Sequence, residues 1–376
     1  MNRILNVVFG MHYGGTEAFI LNTWKNIDKE IFCFDYLYFT KNECPRDQEL
    51  LIGDAKIYRI LAPKLLNQLK FVYQVFNVVK KNKIKIIHSH VNELNGLIQL
   101  GSYLGGAETR ISHMHFPFDS QNNNFLKNTY RRFQVKLIQM FSTNILYCSK
   151  PTYDSYNFSQ KTHLKACLFN NTIDIYKFIS APKEKMKYSI DFSFPENSKI
   201  ITNITRFDKS KNQKFIVEVF NNMLKLDADL ILLLGGEGPQ KAKIEKLVKD
   251  FGINDKVRFI GVRNDVDKIL KITELYLFPS IEEGFGIVVL EAQASGTKII
   301  CSTEVPNSTD VKLSLAHYLD LTMGKDYWAK FAYSIMNSDK DNFSEDTIRF
   351  AFEKCGFDGM KQAKLIEKIY TDGKKK

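Results

Sequence analysis

Short apolar runs alternate with longer amphipathic segments along most of the chain. Runs of this length predict buried strands, and the segments between them place apolar residues at helical spacing. Strands that alternate with helices are typical of right-handed βαβ units around a parallel sheet. The runs read "ILNVVF", "FDYLYF", "AKIYRI", "IKIIHSH", "TRISHMH" and "NILYCS" in the first 170 residues, then "KIITNITRF", "ADLILLLGG", "KVRFIG", "ELYLFPS" and "TKIICS". The pattern therefore predicts an α/β protein with two parallel sheets.

The segment between the two series, residues 180–198, is polar and contains two prolines. That composition is typical of a domain boundary. We therefore predict a first Rossmann-like domain over residues 1–180, a second over 181–340, and C-terminal helices with a basic tail over 341–376. The two Rossmann-like domains are expected to face each other across a cleft.

Charge is distributed unevenly along the chain. The formal net charge is +11, and residues 1–170 hold 21 Lys and Arg against 12 Asp and Glu. This excess predicts that the first half meets something anionic, such as a membrane surface, a phosphate-bearing substrate or nucleic acid. The six cysteines form no CxxC pair, which indicates a reduced, cytoplasmic protein without a zinc site or a disulfide framework. No apolar run approaches the roughly 20 residues of a membrane span, so a soluble chain is expected.

Ligands of open α/β sheets bind beyond the carboxyl ends of the strands, which directs attention to the segment after each apolar run. The first such segment, "GMHYGGTEAF", has Gly14 and Gly15 where a helix begins. Glycines let the backbone approach a ligand, and the first N–H groups of the helix face it. A structural turn, with Glu17 in the first turn of the helix, explains the same residues equally well.

Basic residues follow the first strand of the second series, in "TRFDKSKNQ". Arg206 and Lys211 lie five positions apart, and a guanidinium and an ammonium at one strand end can neutralise a diphosphate. A solvated basic loop is the plainer interpretation of this segment. After a later strand, "FIGVRND" offers backbone groups around Arg263 that could hydrogen-bond a flat base.

Two carboxylates flank a glycine-rich loop and an apolar run in "PSIEEGFGIVVLEAQASG", residues 279–296. The run predicts a helix ended by Gly296, so Glu283 precedes that helix and Glu291 lies about one and a half turns inside it. Carboxylates accept hydrogen bonds from sugar hydroxyls, and the helix N–H groups between them can face an anion. Together these groups suit a nucleotide diphosphate sugar. The alternative is that both acids complement the helix N-terminus, which explains Glu291 poorly because dipole effects fade beyond the first turn.

Two HxH pairs follow strands of the first series, His88 with His90 and His113 with His115. The alternation of side chains along a strand places each pair on one face of the sheet. A metal site is one interpretation. Neutral histidines that hydrogen-bond near an acceptor explain the pattern better.

These segments together resemble glycosyltransferase family 4, a retaining group with the GT-B fold that includes many capsule and exopolysaccharide transferases. The resemblance covers nearly the whole chain. The glycine loop is similar to the amino-terminal loop of the family, "NNTID" to its inter-domain motif, "TRFDKSKNQ" to its phosphate loop, and the stretch from Glu283 to Glu291 to its Glu-x7-Glu signature.

The resemblance implies a role for each matched residue. Arg206 and Lys211 would hold the donor diphosphate, which Gly14 and Gly15 approach. Glu291 would bind the ribose. Glu283 would contact the transferred sugar, and the backbone around Arg263 would contact the base. The residues implied to lie close to sugar or phosphate are Gly284, Phe285, Gly286 and Ile287. His115 would stand beside the reacting sugar on the acceptor side with His90, and His115 and Glu283 are the implied catalytic residues.

The implied reaction is the retaining transfer of a hexose from a nucleotide diphosphate sugar, with UDP as the first choice on family precedent. The acceptor would be a glycan, lipid-linked, in bacterial capsule, exopolysaccharide or lipopolysaccharide synthesis. No acidic metal-binding pattern follows a strand, so we expect no metal and no other cofactor. The alternatives are a GT-B sugar-nucleotide epimerase, against which the full Glu-x7-Glu stretch argues, and a basic nucleic-acid-binding protein, for which no recognised motif is present.

One predicted helix, "FLKNTYRRFQVKLIQMF" at residues 125–141, combines basic and apolar residues. Such a helix can lie on anionic lipid, which would suit a lipid-linked acceptor and a place at the inner face of the cell membrane. It can equally be a core-packed helix with a solvated basic side.

Overall fold

The structure is a computed structural model that describes residues 1–12, 14–50, 54–63, 67–118, 125–163, 165–338 and 343–373. The strands in these ranges are β1 (Asn2–Val8), β2 (Phe32–Tyr38), β3 (Ile57–Arg59), β4 (Ile86–Ser89), β5 (Thr109–Met114), β6 (Asn144–Tyr147), β7 (Ala166–Leu168), β8 (Lys199–Ile204), β9 (Leu230–Gly235), β10 (Val257–Gly261), β11 (Leu275–Phe278), β12 (Lys298–Ser302) and β13 (Ala316–Leu319).

The helices in the same ranges are α1 (Gly15–Asn26), α2 (Asp47–Leu50), α3 (Gln68–Lys81), α4 (Asn95–Leu104), α5 (Phe125–Phe141), α6 (Lys150–Ser155), α7 (Gln160–His163), α8 (Ile175–Ile179), α9 (Lys185–Asp191), α10 (Gln213–Met223), α11 (Lys241–Asp250), α12 (Val266–Lys271), α13 (Ile287–Ala294), α14 (Gly324–Asn337), α15 (Glu345–Lys354) and α16 (Gly359–Asp372). Among the described residues, no helix is both long and apolar enough to cross a membrane.

The first sheet has seven parallel strands in the order β3-β2-β1-β4-β5-β6-β7. Its interior strand β1 is buried on both faces, because alternate side chains enter different apolar clusters. Ile4 and Val8 pack in the cluster that contains Phe19 of α1. Leu5 and Val7 pack in the cluster that contains residues of α3. Burial on both faces is what makes the strand read as a nearly continuous apolar run.

The second sheet has six parallel strands in the order β10-β9-β8-β11-β12-β13. Ile201 of β8 packs in a large cluster with residues of α10 and α14, whereas Ile200 packs in a separate cluster with Tyr188 of α9. Both sheets are therefore doubly wound, as the alternation of strands and helices predicted.

The chain divides into two compact units, Met1–Thr172 together with Gly356–Lys376, and Ile173–Cys355. The predicted limits at 180 and 340 differ from this division. The first change of unit falls inside the "NNTID" motif, where Asn22 of α1 donates a hydrogen bond of 2.6 Å to Thr172 Oγ1. The segment 180–198 belongs to the second unit, because its helix α9 buries Tyr188 against that unit's sheet.

The predicted C-terminal segment 341–376 also divides between the units. Helix α15 belongs to the second unit, whereas α16 returns to the first and packs against α1. Asp358 caps α16 by accepting hydrogen bonds from the backbone N–H groups of its first turn. Ile366 and Tyr370 of α16 are fully buried in the cluster that contains Phe32 and Phe34 of β2. The basic tail at 374–376 lies outside the described residues.

We expect Ile366→Ala to destabilise the first unit by about 2–5 kcal/mol, because it removes a fully buried side chain and leaves a cavity. The neighbouring Leu365 is 42% exposed, so Leu365→Ala is the matched control and should change stability by less than about 0.5 kcal/mol. Urea denaturation of both variants measures the difference. Equal losses would show that α16 is not part of this core.

Candidate functional site

The second sheet has a topological switch point between β8 and β11, where the strand order reverses. Loops that follow the two strands at such a point diverge and leave a crevice at the carboxyl edge of the sheet. The loop after β8 carries Arg206 and Lys211, and the loop after β11 carries Glu283 and leads into α13. Arg206, Lys211 and Glu283 therefore lie on the two loops beside the switch point. Glu291 lies in the helix α13 that follows, and Arg263 follows the edge strand β10.

Hydrogen bonds tie the loop after β8 to the loop after β11. The backbone carbonyl of Ser210 accepts from Ile281 N at 2.7 Å and from Ser280 Oγ at 2.9 Å. Asn212 Nδ2 donates to the carbonyl of Pro279 at 3.2 Å. These contacts fix the position of one loop relative to the other.

Lys211 and Glu283 are brought into direct contact. The Lys211 ammonium forms an ion pair with Glu283 Oε2 and lies 5.5 Å from the centroid of the Phe278 ring. Arg206 is exposed, and its guanidinium forms no hydrogen bond or ion pair with other residues in the described ranges. One basic side chain of the predicted phosphate pair is thus anchored to the acid, and the other extends from the loop.

The N-terminus of α13 is built by a tight glycine turn. Gly286 has φ +81° and ψ +58°, a left-handed conformation that strains other residues, and a Cβ there would lie 3.0 Å from Val305 Cγ1. Gly284 donates its N–H to Glu283 Oε1 at 3.2 Å, and Phe285 is buried. Helix α13 begins at Ile287 and has no acidic residue in its first turn. Its first-turn N–H groups are therefore suited to an anion.

Glu291 lies inside α13, and its surroundings raise its affinity for a proton. Burial raises the pKa of the Glu291 carboxyl to about 7, although the nearby Lys177 ammonium lowers it. Lys177 also forms an ion pair of 3.1 Å with Asp267 of α12. Lys177 was not among the predicted site residues, because it precedes the second sheet and matches no strand-end motif. A pKa near 7 gives Glu291 both protonation states at neutral pH.

The side chain of Arg263 has a structural role. Its guanidinium donates two hydrogen bonds to Asp265, at 2.8 and 2.6 Å, and lies over the Phe192 ring. Tyr188 OH donates to the same carboxylate at 2.7 Å. The sequence prediction named the backbone at Arg263, not this side chain, as the part that contacts a base.

The first sheet has its own switch point, between β1 and β4. Gly14 and Gly15 follow β1 and begin α1, with Gly14 as an extended N-cap. A Cβ on Gly14 would lie 2.4 Å from Glu17 Oε2, so the Glu17 carboxylate folds back over this turn, and burial raises its pKa. The glycines and the Glu17 carboxylate thus occupy the same turn. This placement agrees with a glycine turn that a ligand approaches and also with a structural turn that holds Glu17 at the start of the helix.

The four histidines form one buried block near the same edge. His88 Nε2 lies 3.2 Å from His113 Nδ1, and His90 Nδ1 lies 3.0 Å from His115 Nε2, which makes two hydrogen-bonded rows. The rows lie against each other, with ring centroids 4.1 Å apart for His88 and His90 and 4.2 Å apart for His113 and His115. Phe19 of α1 packs against three of the rings. Burial lowers the pKa of His88 and of His115 to about 3, and lowers the pKa of His90 and His113 as well, so the block is neutral.

Neutral imidazoles can also bind metal ions, and nitrogen atoms of His88, His90 and His113 lie within 4.8 Å of one another. Hydrogen bonds engage both nitrogens of His88, which also contacts Tyr370 OH at 2.8 Å. They likewise engage both nitrogens of His90. Of these atoms only His113 Nε2 has no partner among the described residues. A metal would have to replace most of these bonds, and we continue to expect none.

The chain matches the family model for glycosyl transferases group 1 over residues 184–312, a range that contains every predicted donor residue of the second unit. It is 25% identical to the glycosyltransferase EpsF of Bacillus subtilis, over 98% of this chain and 96% of that protein. It is 26% identical to the capsular polysaccharide biosynthesis glycosyltransferase CapH of Staphylococcus aureus, over 82% and 83%. These similarities support glycosyltransferase activity for the chain.

This glycosyltransferase is also 23% identical to the UDP-Gal:alpha-D-GlcNAc-diphosphoundecaprenol alpha-1,3-galactosyltransferase of Escherichia coli, over 82% of this chain and 80% of that enzyme. The solved structure of Anabaena HepE in complex with UDP and glucose superposes with a TM-score of 0.80 at 15% identity, over 98% of this chain and 99% of HepE. The family resemblance and the GT-B fold are thereby confirmed. The roles of the individual site residues stay predictions.

We expect nucleotide binding by this glycosyltransferase to strengthen as the pH rises through 7. The pKa of Glu291 is raised to about 7, so its carboxylate, the form that accepts hydrogen bonds best, is the minor form below that pH. If only the carboxylate binds ribose hydroxyls, the Kd for UDP should fall about ten-fold between about pH 6 and about pH 8. Calorimetric titrations of the wild type and Glu291→Gln measure this Kd. Protonation of UDP itself affects both proteins equally, so it does not contribute to the ratio of their Kd values. A wild-type to variant ratio that is constant with pH would contradict the role of Glu291.

Proposed function

We propose that this glycosyltransferase transfers a hexose from a nucleotide diphosphate sugar, with UDP as the first choice, to a lipid-linked glycan acceptor with retention of anomeric configuration. The proposed setting is the synthesis of a capsule, exopolysaccharide or lipopolysaccharide. The observation that carries the proposal is the position of Arg206, Lys211 and Glu283 on two tied loops at one switch point, with the second loop leading into α13 and its Glu291. UDP in HepE and the UDP-Gal and diphosphoundecaprenol substrates in the name of the E. coli relative support the choice of donor and acceptor.

The donor phosphates are assigned to three positively polarised groups. The Arg206 guanidinium is exposed and can turn toward a diphosphate, Lys211 lies beside it in the loop, and the α13 N–H groups face the same edge. A nucleoside diphosphate leaves with growing negative charge, which cations and fixed N–H dipoles stabilise without a metal. We therefore infer a metal-independent reaction, for which the rate in excess chelator should equal the rate without it.

Two side chains are assigned to the reacting sugar. Glu283 accepts hydrogen bonds from sugar hydroxyls on the donor side, and His115 acts on the acceptor side. Burial keeps His115 neutral, so it can act as an acceptor of hydrogen bonds without adding charge. We assign both residues electrostatic and positioning roles and name no protein nucleophile.

The Lys211–Glu283 pair gives the direct test of the donor site. Lys211→Ala should lower kcat/KM for the UDP-sugar by about 100- to 1000-fold, because one charged donor to the leaving diphosphate is removed. Lys209→Ala is the matched control: this exposed lysine lies in the same helical turn and should change kcat/KM by less than about two-fold. Release of UDP in the presence of a glycan-lipid acceptor is the measured quantity.

Equal effects of the two substitutions would contradict the proposed donor site. Conversion of the donor to an epimer in the absence of acceptor would favour the epimerase alternative instead.

We propose a lipid-linked acceptor because the outer face of α5 is suited to a membrane surface. Leu126, Phe133 and Met140 recur every seven residues there and are 77%, 51% and 70% exposed. Arg132 and Lys136 lie on the same exposed side, and the helix contains no acidic residue. Arg131, the basic residue that precedes Arg132, is turned inward instead. It lies 4.0 Å from Glu93 and stacks over an aromatic ring.

A second helix extends this surface. Tyr130 of α5 donates a hydrogen bond of 2.8 Å to Gln68 at the start of α3. Helix α3 exposes Leu69 and Tyr73, carries three lysines and contains no acidic residue. Exposed apolar and basic residues without acids are suited to the surface of an anionic bilayer. We infer that this face rests on the inner face of the cell membrane.

The double variant Arg132→Glu/Lys136→Glu should weaken binding to phosphatidylglycerol vesicles at least ten-fold, because each basic residue near such a surface contributes about 1 kcal/mol. The control Lys364→Glu/Lys368→Glu makes the same charge change at exposed positions four residues apart on α16. Vesicle sedimentation measures both. A similar loss in the control would mean that net charge, and not this face, determines binding.

A further inference from the structure

Asn6 is a polar residue inside an apolar strand. It lies on the same face of β1 as Ile4 and Val8, is 1% exposed, and pairs in register with His88 of β4. Its Oδ1 lies 3.4 Å from His90 Nε2, and its Nδ2 has no hydrogen-bond partner among the described residues. A buried amide is costly unless its polar atoms are used, which points to a role for the bond that it makes.

The hydrogen bond between Asn6 and His90 determines which ring nitrogens of His90 and His115 carry a proton. An amide oxygen only accepts, so His90 Nε2 must carry a proton. Because burial keeps His90 neutral, His90 Nδ1 is then bare and accepts a hydrogen bond from His115 Nε2, 3.0 Å away. His115 is neutral too, so its remaining nitrogen, Nδ1, carries no proton. That atom is enclosed and has no partner among the described residues.

The other row of the block lacks such an anchor. Tyr370 OH lies 2.8 Å from His88 Nδ1, and burial raises the pKa of this phenol, so the hydroxyl keeps its proton. A hydroxyl can donate or accept. Tyr370 can therefore either donate to His88 or accept from it, and both tautomers of His88 and His113 are compatible with this row of hydrogen bonds.

We propose that Asn6 is a positioning residue that acts through His90 to fix His115 as a hydrogen-bond acceptor at Nδ1. The inference rests on the proposed function, in which His115 stands beside the substrates. Because this atom is enclosed, a substrate group reaches it only when neighbouring side chains move aside, and a group that does so must be a hydrogen-bond donor, such as a sugar hydroxyl. A phosphate or carbonyl oxygen would meet a lone pair and be rejected. Asn6 thus helps to set which polar group the site accepts.

Nitrogen NMR of protein labelled with ¹⁵N-histidine reads the tautomer directly, with the His115 signals assigned by their loss in His115→Gln. The wild type should show His115 with a bare Nδ1 and a protonated Nε2. Asn6→Asp is nearly the same size but can take up a proton. If the carboxylic acid holds that proton, it donates to His90 Nε2 and the proton of the neutral His90 ring lies on Nδ1. If His90 takes the proton instead, both of its nitrogens are protonated, so His90 Nδ1 carries a proton in either case. His115 Nε2 must then accept, so Asn6→Asp should acquire a protonated His115 Nδ1 as the pH falls.

Kinetics should follow the spectra. Over the pH range in which His115 changes tautomer in Asn6→Asp, kcat should fall about ten-fold, whereas the KM for the donor, which the second unit binds, should change by less than about two-fold. Tyr370→Phe breaks the other row and is the control. Its His115 signals should match those of the wild type.

The outcomes separate this inference from the proposed function. A wild-type His115 with a protonated Nδ1, or an Asn6→Asp spectrum that is constant with pH, would overturn the role of Asn6. The wild-type spectrum alone decides the first point if the variant does not fold. A bare Nδ1 in a protein that transfers no sugar would uphold the tautomer and refute the proposed function.

Discussion

The candidate donor site depends on the hydrogen bonds that tie its two loops together, chiefly those to the backbone carbonyl of Ser210. Each loop follows a different strand, and the bond from Asn212 to the carbonyl of Pro279 adds to this tie. The Ser210 carbonyl accepts from both Ser280 and Ile281, and so ties the loop after β8 to the loop after β11. This tie holds Lys211 where its ammonium meets Glu283. The pairing of Lys211, the predicted phosphate ligand, with Glu283, the predicted sugar ligand, therefore depends on hydrogen bonds to a backbone carbonyl.

Most of the fold could be predicted because parallel strands are buried on both faces. A strand such as β1 must be apolar at nearly every position, which makes it visible in the sequence. The strands β7 and β13 were not predicted. Both lie at the edge of a sheet, are only four residues long or less, and are partly exposed, so no apolar run marks them. The limits of the units were displaced because a polar, proline-containing segment can still pack a helix, as α9 does through Tyr188.

The placement of the candidate donor residues could be predicted for a different reason. Arg206, Lys211, Glu283 and Glu291 follow apolar runs, and the topology of a doubly wound sheet brings such segments to one edge. Lys177 and Tyr370 could not be found in this way, because each belongs to a helix that reaches its partner only through packing. Asn6 did leave a signal, a single amide within "ILNVVF". Its partner could be identified only once the register placed β1 beside β4.

The return of α16 makes the second unit an insertion within the first. Ile366 and Tyr370 complete the core around β2, yet they follow the entire second unit in the sequence. During synthesis, residues 173–355 leave the ribosome before this last helix does. The second unit can therefore fold as a continuous segment, whereas the first exposes an apolar surface until α16 has been synthesised. The order of the chain thus makes the first unit the last to complete its core.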